Sequence, residues 1–294
     1  MALTQSMLTT VLLVGLAAGL TSDVQTIRDE PGFTVIDWPG SAHTRLFGIN
    51  PQGDIVGFYI ATDGTFHGLL RAKGDLTTFD HPGAKSTIPT GISPSGDIVG
   101  FYAVTAGVFH GFRLSHGEFT TIDVPGAVVT RALGINARGD VVGDYQDAGR
   151  SVHGFLLSDG EFTTIDYPGA TYTEAFQISP QGRIVGNYRT PDGVFHEFLL
   201  DDGGFTSIDF PGAVSTGGVL FGVGINPAGD VVGQYRDAVG VTHGFVLEDG
   251  VFTTIDFPAS DVAQTVATAI NPRGDIVGRY RDAAGKDRGY VFVR

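Results

Sequence analysis

The chain has 294 residues, 42% of them hydrophobic and 17% charged, which gives it enough apolar material for a large core and excludes a disordered polymer. Its 32 acidic residues outnumber 18 basic ones, and with a net charge of −14 and no Lys/Arg cluster in the sequence, nucleic acid is excluded as a partner. The absence of cysteine excludes disulfides and thiolate metal sites.

The first feature along the chain is an apolar run, "MLTTVLLVGLAAGL" at 7–20, too short for an ordinary membrane span. Small residues Ala17, Ala18 and Gly19 follow its apolar centre, so residues 1–22 read as a signal peptide, although no Lys or Arg precedes Arg28. Export to an extracellular or periplasmic location follows as the expectation, with no membrane span in the mature chain.

Beyond it, one motif is written six times. Asp37, Asp80, Asp123, Asp166 and Asp209 recur at a spacing of 43, and Asp256 follows after 47. Each unit runs through a Thr-x-Ile-Asp segment, a Pro-Gly loop, a Gly-Ile-Asn segment, a Gly-Asp-Ile-Val-Gly-x-Tyr segment and a His-Gly-Phe-Leu segment. The 44 glycines and the short bursts of Val, Ile, Thr and Phe suit strands joined by turns, four strands to a unit. The predicted fold is all-β: a six-bladed β-propeller over 33–294, closed by pairing "FTVID" at 33–37 with "GYVFVR" at 289–294. The longer Asp-x-Pro-Gly-Ala-x-x-Thr connection becomes the crossing from one blade to the next.

Turn chemistry fixes a register. "SDGE" at 158–161 is a two-residue hairpin signal, and counting outwards from it sets His153 opposite Asp166. The same count pairs His67 with Asp80, His110 with Asp123, His196 with Asp209, His243 with Asp256 and, across the closure, Arg288 with Asp37. Six equivalent copies suit braces better than a catalytic or metal centre, so no metal and no cofactor is expected. The recurring Tyr59, Tyr102, Tyr145, Tyr188, Tyr235 and Tyr280 read as core packing with a hydroxyl at the rim. Asn50, Asn226 and Asn271 read as local turn residues before Pro.

The pattern "GIN…GDIVG.Y…HGF", seen in 134–155 and 224–245, resembles the HAF-repeat proteins, a group of extracellular bacterial repeats. The resemblance covers essentially the whole chain after the apolar run, with Gly in place of the family's central Ala, as at Gly111, and Glu197 at that position in unit four. It implies export and a repeated β architecture, and carries over no reaction and no catalytic residues.

Function is therefore sought where the repeats differ. Trp38, Tyr167, Phe210 and Phe257 follow the recurring Asp and read as aromatic ligand contacts on the loop face. Arg45 and Arg131, one residue after the recurring Thr, read as ligand contacts able to hold a carboxylate. The fifth crossing is longer by four residues, a lid or contact patch, and the changes Gln177, Arg183 and Glu197 in unit four read as drift. The favoured function is an exported, monomeric, non-catalytic binding or scaffold propeller that engages glycan or an extracellular protein. The alternative is an extracellular lyase or hydrolase on an acidic or plant-derived polysaccharide, with Glu174 transferring the proton and Arg131 and Arg45 stabilising charge.

Overall fold

The computed structural model describes residues 29–30, 32–218 and 222–294, and the apolar run read as a signal peptide lies outside them. Among the described residues every regular element is a β-strand, and no helix is long and apolar enough to cross a membrane. The strands form six antiparallel units of the same kind. In the third, Val129–Ile135, Val141–Gln146, Val152–Ser158 and Glu161–Ile165 pair in chain order. Units beginning with His43–Ile49, Ser86–Ile92, Tyr172–Ile178 and Val262–Ile270 repeat it. In the fifth, the first strand is split into Ser215–Thr216 and Gly224–Ile225.

The hairpins follow from local chemistry. Lys73, His116, Asp159, Asp202 and Asp249 hold φ between 46° and 53°, each followed by a glycine with φ between 78° and 92°. Such consecutive left-handed residues form the turn whose twist matches two paired strands, which is why the register counted from Ser158↔Glu161 holds along the hairpin.

The five unbroken first strands each carry a bulge, at Phe47, Thr90, Leu133, Phe176 and Thr268. These residues and Val223 line one central void of about 10 Å3. The first strands are therefore innermost. In every unit but the fifth, the glycine of the Val-Gly-x-Tyr segment lies against the first strand of its own unit. A Cβ on Gly143 would overlap the Arg131 carbonyl oxygen and come within 2.8 Å of the Phe155 ring. We expect Gly143→Ala to cost more than about 3 kcal/mol in urea unfolding, since backbone must move. Gly160→Ala, in open space but at φ +83°, should cost only about 1 kcal/mol. Equal losses would show that the close approach is not what selects glycine.

The chain ends meet. Phe33–Ile36 pairs antiparallel with Asp287–Phe292, from Phe33↔Phe292 to Ile36↔Gly289, and Asp29–Glu30 adds a short further strand. The ladders do not run on into a single closed sheet; among the described residues they divide into four. Side chains join what the ladders do not. Thr90 Oγ1 donates to Ala132 O of the next unit at 2.9 Å, and Thr268 Oγ1 of the last unit donates to Leu46 O of the first at 2.9 Å. Arg138 Nη1 reaches Pro180 O at 3.0 Å, and Arg273 Nη1 reaches Pro51 O at 2.6 Å. The contact between last and first units is the one made by consecutive units.

Candidate functional site

The recurring imidazoles and carboxylates stand together. Nδ1 of His67, His110, His153, His196 and His243 lies 2.8, 2.9, 2.9, 2.6 and 2.9 Å from Asp80, Asp123, Asp166, Asp209 and Asp256. At the seam Arg288 Nη1 meets Asp37 at 2.7 Å, and Lys286, which the sequence pattern does not reveal, meets it at 2.9 Å. In four of the five units with a histidine the neighbouring tyrosine stacks on the imidazole, as Tyr188 does on His196 with centroids 5.0 Å apart, while its hydroxyl bonds Ser207 at 2.9 Å.

The aromatic residues after the recurring Asp each have a ring partner within the protein, which the sequence pattern does not reveal. Trp38 stacks on Tyr59, Tyr167 on Tyr188, Phe210 on Tyr235 and Phe257 on Tyr280, with centroids 4.8, 3.6, 3.6 and 3.9 Å apart. A second side is closed edge-on, by Phe205 against Tyr167 and Phe252 against Phe210. The backbone N–H of each of these residues donates to the recurring Thr, as Trp38 does to Thr44 and Phe210 to Thr216, at 2.9 and 2.8 Å. That bond pins the crossing onto the next unit. The rings pack between units, each with one face covered by a tyrosine.

The asymmetry lies in two other columns, the residue before each tyrosine and the residue before each histidine. Unit one has Phe58 and Phe66 there, and unit two has Phe101 and Phe109. The other units have Asp144 and Val152, Asn187 and Phe195, Gln234 and Thr242, Arg279 and Asp287. Because these positions face the next unit, the four phenylalanines and Ile88 wall a cavity of about 280 Å3. Arg45, Arg131 and Glu174 also line it, so the three residues chosen from sequence do converge. Arg45 lies over the Phe58 ring, 5.8 Å from its centroid.

Both arginines already hold protein carboxylates. Arg45 Nη2 meets Asp287 at 2.6 Å, and Arg131 Nη2 meets Asp144 at 2.7 Å and Glu174 at 3.1 Å. Two nearly inaccessible carboxylates thus share one guanidinium. Burial, with only partial compensation from Arg131, raises the pKa of Asp144; burial and then the Asp144 charge raise that of Glu174. Glu174 Oε2 receives no well-formed hydrogen bond, and among the described residues no cluster of three or more His, Asp or Glu could hold a metal ion.

No protein-family model matches the chain, and no curated protein does. Solved structures do. AofleA from Arthrobotrys oligospora is 16% identical over 88% of this chain and 86% of its own, with a TM-score of 0.58. The fungal lectin of Aleuria aurantia, described as a six-bladed β-propeller with a fucose recognition mode, is 13% identical over 84% of this chain and 90% of its own, with a TM-score of 0.52. The fold is a β-propeller. TolB from Acinetobacter baumannii shares it at 12% identity, 87% of this chain against 65% of that one, with a TM-score of 0.56.

Blade five of the propeller shows why Glu197 is not idle. In blades three and six the Val-Gly-x-Tyr glycine faces a first-strand carbonyl, Arg131 O or Val266 O. Around Gly233, where the first strand is broken, it faces the Glu197 carboxylate of blade four. Oε1 accepts the Gln234 N–H at 3.2 Å, so a side chain from the neighbouring blade replaces a missing strand acceptor. Complete burial without a cation pushes the Glu197 pKa well above the usual carboxylate range. Asn187 stands opposite Glu197 in the ladder, and Asn187 Oδ1 and Glu197 Oε2 are both buried without a donor among the described residues.

Proposed function

We propose that this chain is an exported, monomeric, non-catalytic glycan-binding propeller of six blades, closed by its own N-terminal strand and related to the HAF-repeat proteins. The repetition of the Thr90 and Arg138 contacts by Thr268 and Arg273 at the seam supports closure. The observation that carries the binding reading is the phenylalanine-walled cavity with arginines and a carboxylate at its edge. A sugar offers an apolar C–H face to aromatic rings and hydroxyls to charged acceptors and donors, and this lining presents both. The fucose recognition described for the Aleuria aurantia propeller lends support to carbohydrate as the ligand class.

The raised pKa of Glu174 favours one second reading, polysaccharide cleavage with Glu174 as proton donor. A glycan and polysaccharide screen on the purified chain, with products examined for cleavage, separates the two. We expect binding without cleavage, a loss of about tenfold with Phe101→Ala, equivalent to about 1.4 kcal/mol, and unchanged affinity with Tyr167→Ala after correction for stability. Cleavage lost on Glu174→Gln would establish the second reading. No binding to any glycan would leave a scaffold.

A further inference from the structure

A chain with a net charge of −14 gathers five cations at the seam between its last and first blades: Arg45, Arg279, Arg281, Lys286 and Arg288. Three carboxylates face them, Asp37, Asp282 and Asp287. The sequence hides this excess because Arg45 joins the others only through the meeting of chain ends. Lys286 and Arg288 are occupied by Asp37, at 2.9 and 2.7 Å, and Arg288 Nε also reaches Asp282 at 3.2 Å. Three guanidiniums therefore compete for Asp287.

Two of them take its oxygens. Arg45 Nη2 approaches Oδ2 at 2.6 Å, and Arg281 Nε approaches Oδ1 at 2.6 Å. Arg279 is left at 3.6 Å, outside hydrogen-bonding distance, although it is only 4% exposed. Its Nε has no acceptor among the described residues. Gln264, with its amide oxygen turned to the arginines, offers Arg279 Nη1 and Arg281 Nε a neutral acceptor at 3.2 Å each. His43 adds no anion; its Nδ1 accepts the Asp287 N–H at 3.1 Å, and burial together with the surrounding cations lowers its pKa despite Asp287. A buried guanidinium with an unfilled donor, beside two others sharing one carboxylate, is one anion short.

We propose that this seam binds the carboxylate of an acidic sugar, a hexuronate residue, with Arg45, Arg281 and Arg279 as its anion ligands; the assignment rests on the glycan reading above. Arg45 also lines the phenylalanine cavity, so a sugar ring held on Phe58 and Phe101 directs a substituent to the seam. Planar guanidinium groups match a planar carboxylate in two parallel hydrogen bonds. The opposite edge of the cavity sets the orientation. Arg131 there already holds two carboxylates, Asp144 and Glu174, whereas the unfilled donor lies at the seam, so the acid group lies toward Arg45.

The test is calorimetric titration of the intact chain with galacturonate, glucuronate and mannuronate oligosaccharides, their neutral hexose counterparts of equal length, and inorganic sulfate. At least one uronate oligosaccharide should bind ten times more tightly than its neutral counterpart, with the preference shrinking as salt rises. Arg281→Gln, at a side chain one-third exposed and so tolerant of change, should reduce that preference to within twofold and leave neutral binding intact. Binding of neutral glycans alone, or a preference unchanged in Arg281→Gln, overturns the seam assignment and leaves the glycan reading standing. Sulfate bound as tightly as uronate overturns the assignment to a sugar acid. Absence of binding to every saccharide overturns both.

Discussion

Replacing Arg131 with methionine should cost about 3–5 kcal/mol of unfolding free energy at neutral pH, because it leaves Asp144 and Glu174 buried with no cation between them. The two side chains are 1% and 2% exposed, so water cannot replace the guanidinium. The pH dependence carries the sign of the argument. Both carboxyls have folded pKa values raised above their unfolded ones, so the folded state binds protons more readily, and their contribution is present in acid and lost as pH rises. Arg131 resists that loss in the native chain; without it the loss should deepen. The variant should therefore recover toward native stability between about pH 7 and pH 5, and Asp144→Asn with Glu174→Gln in the same chain should remove most of the remaining deficit. Urea unfolding at the two pH values measures this. A deficit independent of pH would show that Arg131 acts through packing alone.

That triad also marks where reading the sequence succeeds and where it stops. A two-residue hairpin leaves no freedom in register, so the spacing of His153 and Asp166 around Asp159-Gly160 determines that they face each other. Nothing so local tells which neighbouring blade covers a crossing residue. Trp38 and Tyr167 look like contacts for a ligand until the tyrosines of the next blade are placed against them. Thr44 and Thr216 recur without an evident reason until their partners, backbone N–H groups of the preceding crossing, are known.

The cavity was legible in principle. Positions 58, 66, 101 and 109 are Phe in two consecutive units and polar or smaller in most others, and a column that varies against a constant background is the signal of a site in a repeat protein. The eye goes instead to the constant columns, which here hold the braces. Glu197 is a different case. Its replacement of a repeat glycine is visible, but the Gln234 N–H that gives it a purpose belongs to the next blade, and nothing local in the sequence pairs the two.

Removing residues 1–37 should abolish the folded monomer. The strand Phe33–Ile36 buries Phe33, Val35 and Ile36 at 7%, 1% and 1% exposure, worth about 1.5–3 kcal/mol each, or about 5–9 kcal/mol together. That sum approaches the whole stability of an ordinary domain, about 5–15 kcal/mol. Deletion also strands Lys286 and Arg288 without Asp37 and leaves the edge of Asp287–Phe292 unpaired from Phe292 to Gly289. An open edge of that kind pairs with another chain, so the expected product is an aggregate or an exchanged dimer, seen by light scattering after size-exclusion chromatography. Supplying 29–38 as a separate peptide should restore cooperative urea unfolding in part, because its register with the last strand is set by Phe33↔Phe292 and the aromatic stack of Phe33 on Phe292 at 4.4 Å. A truncated chain that stays monomeric with the urea midpoint of the full one would mean that blade six holds without its outer strand, with the Thr268, Arg273 and Arg45 contacts left to join the last unit to the first.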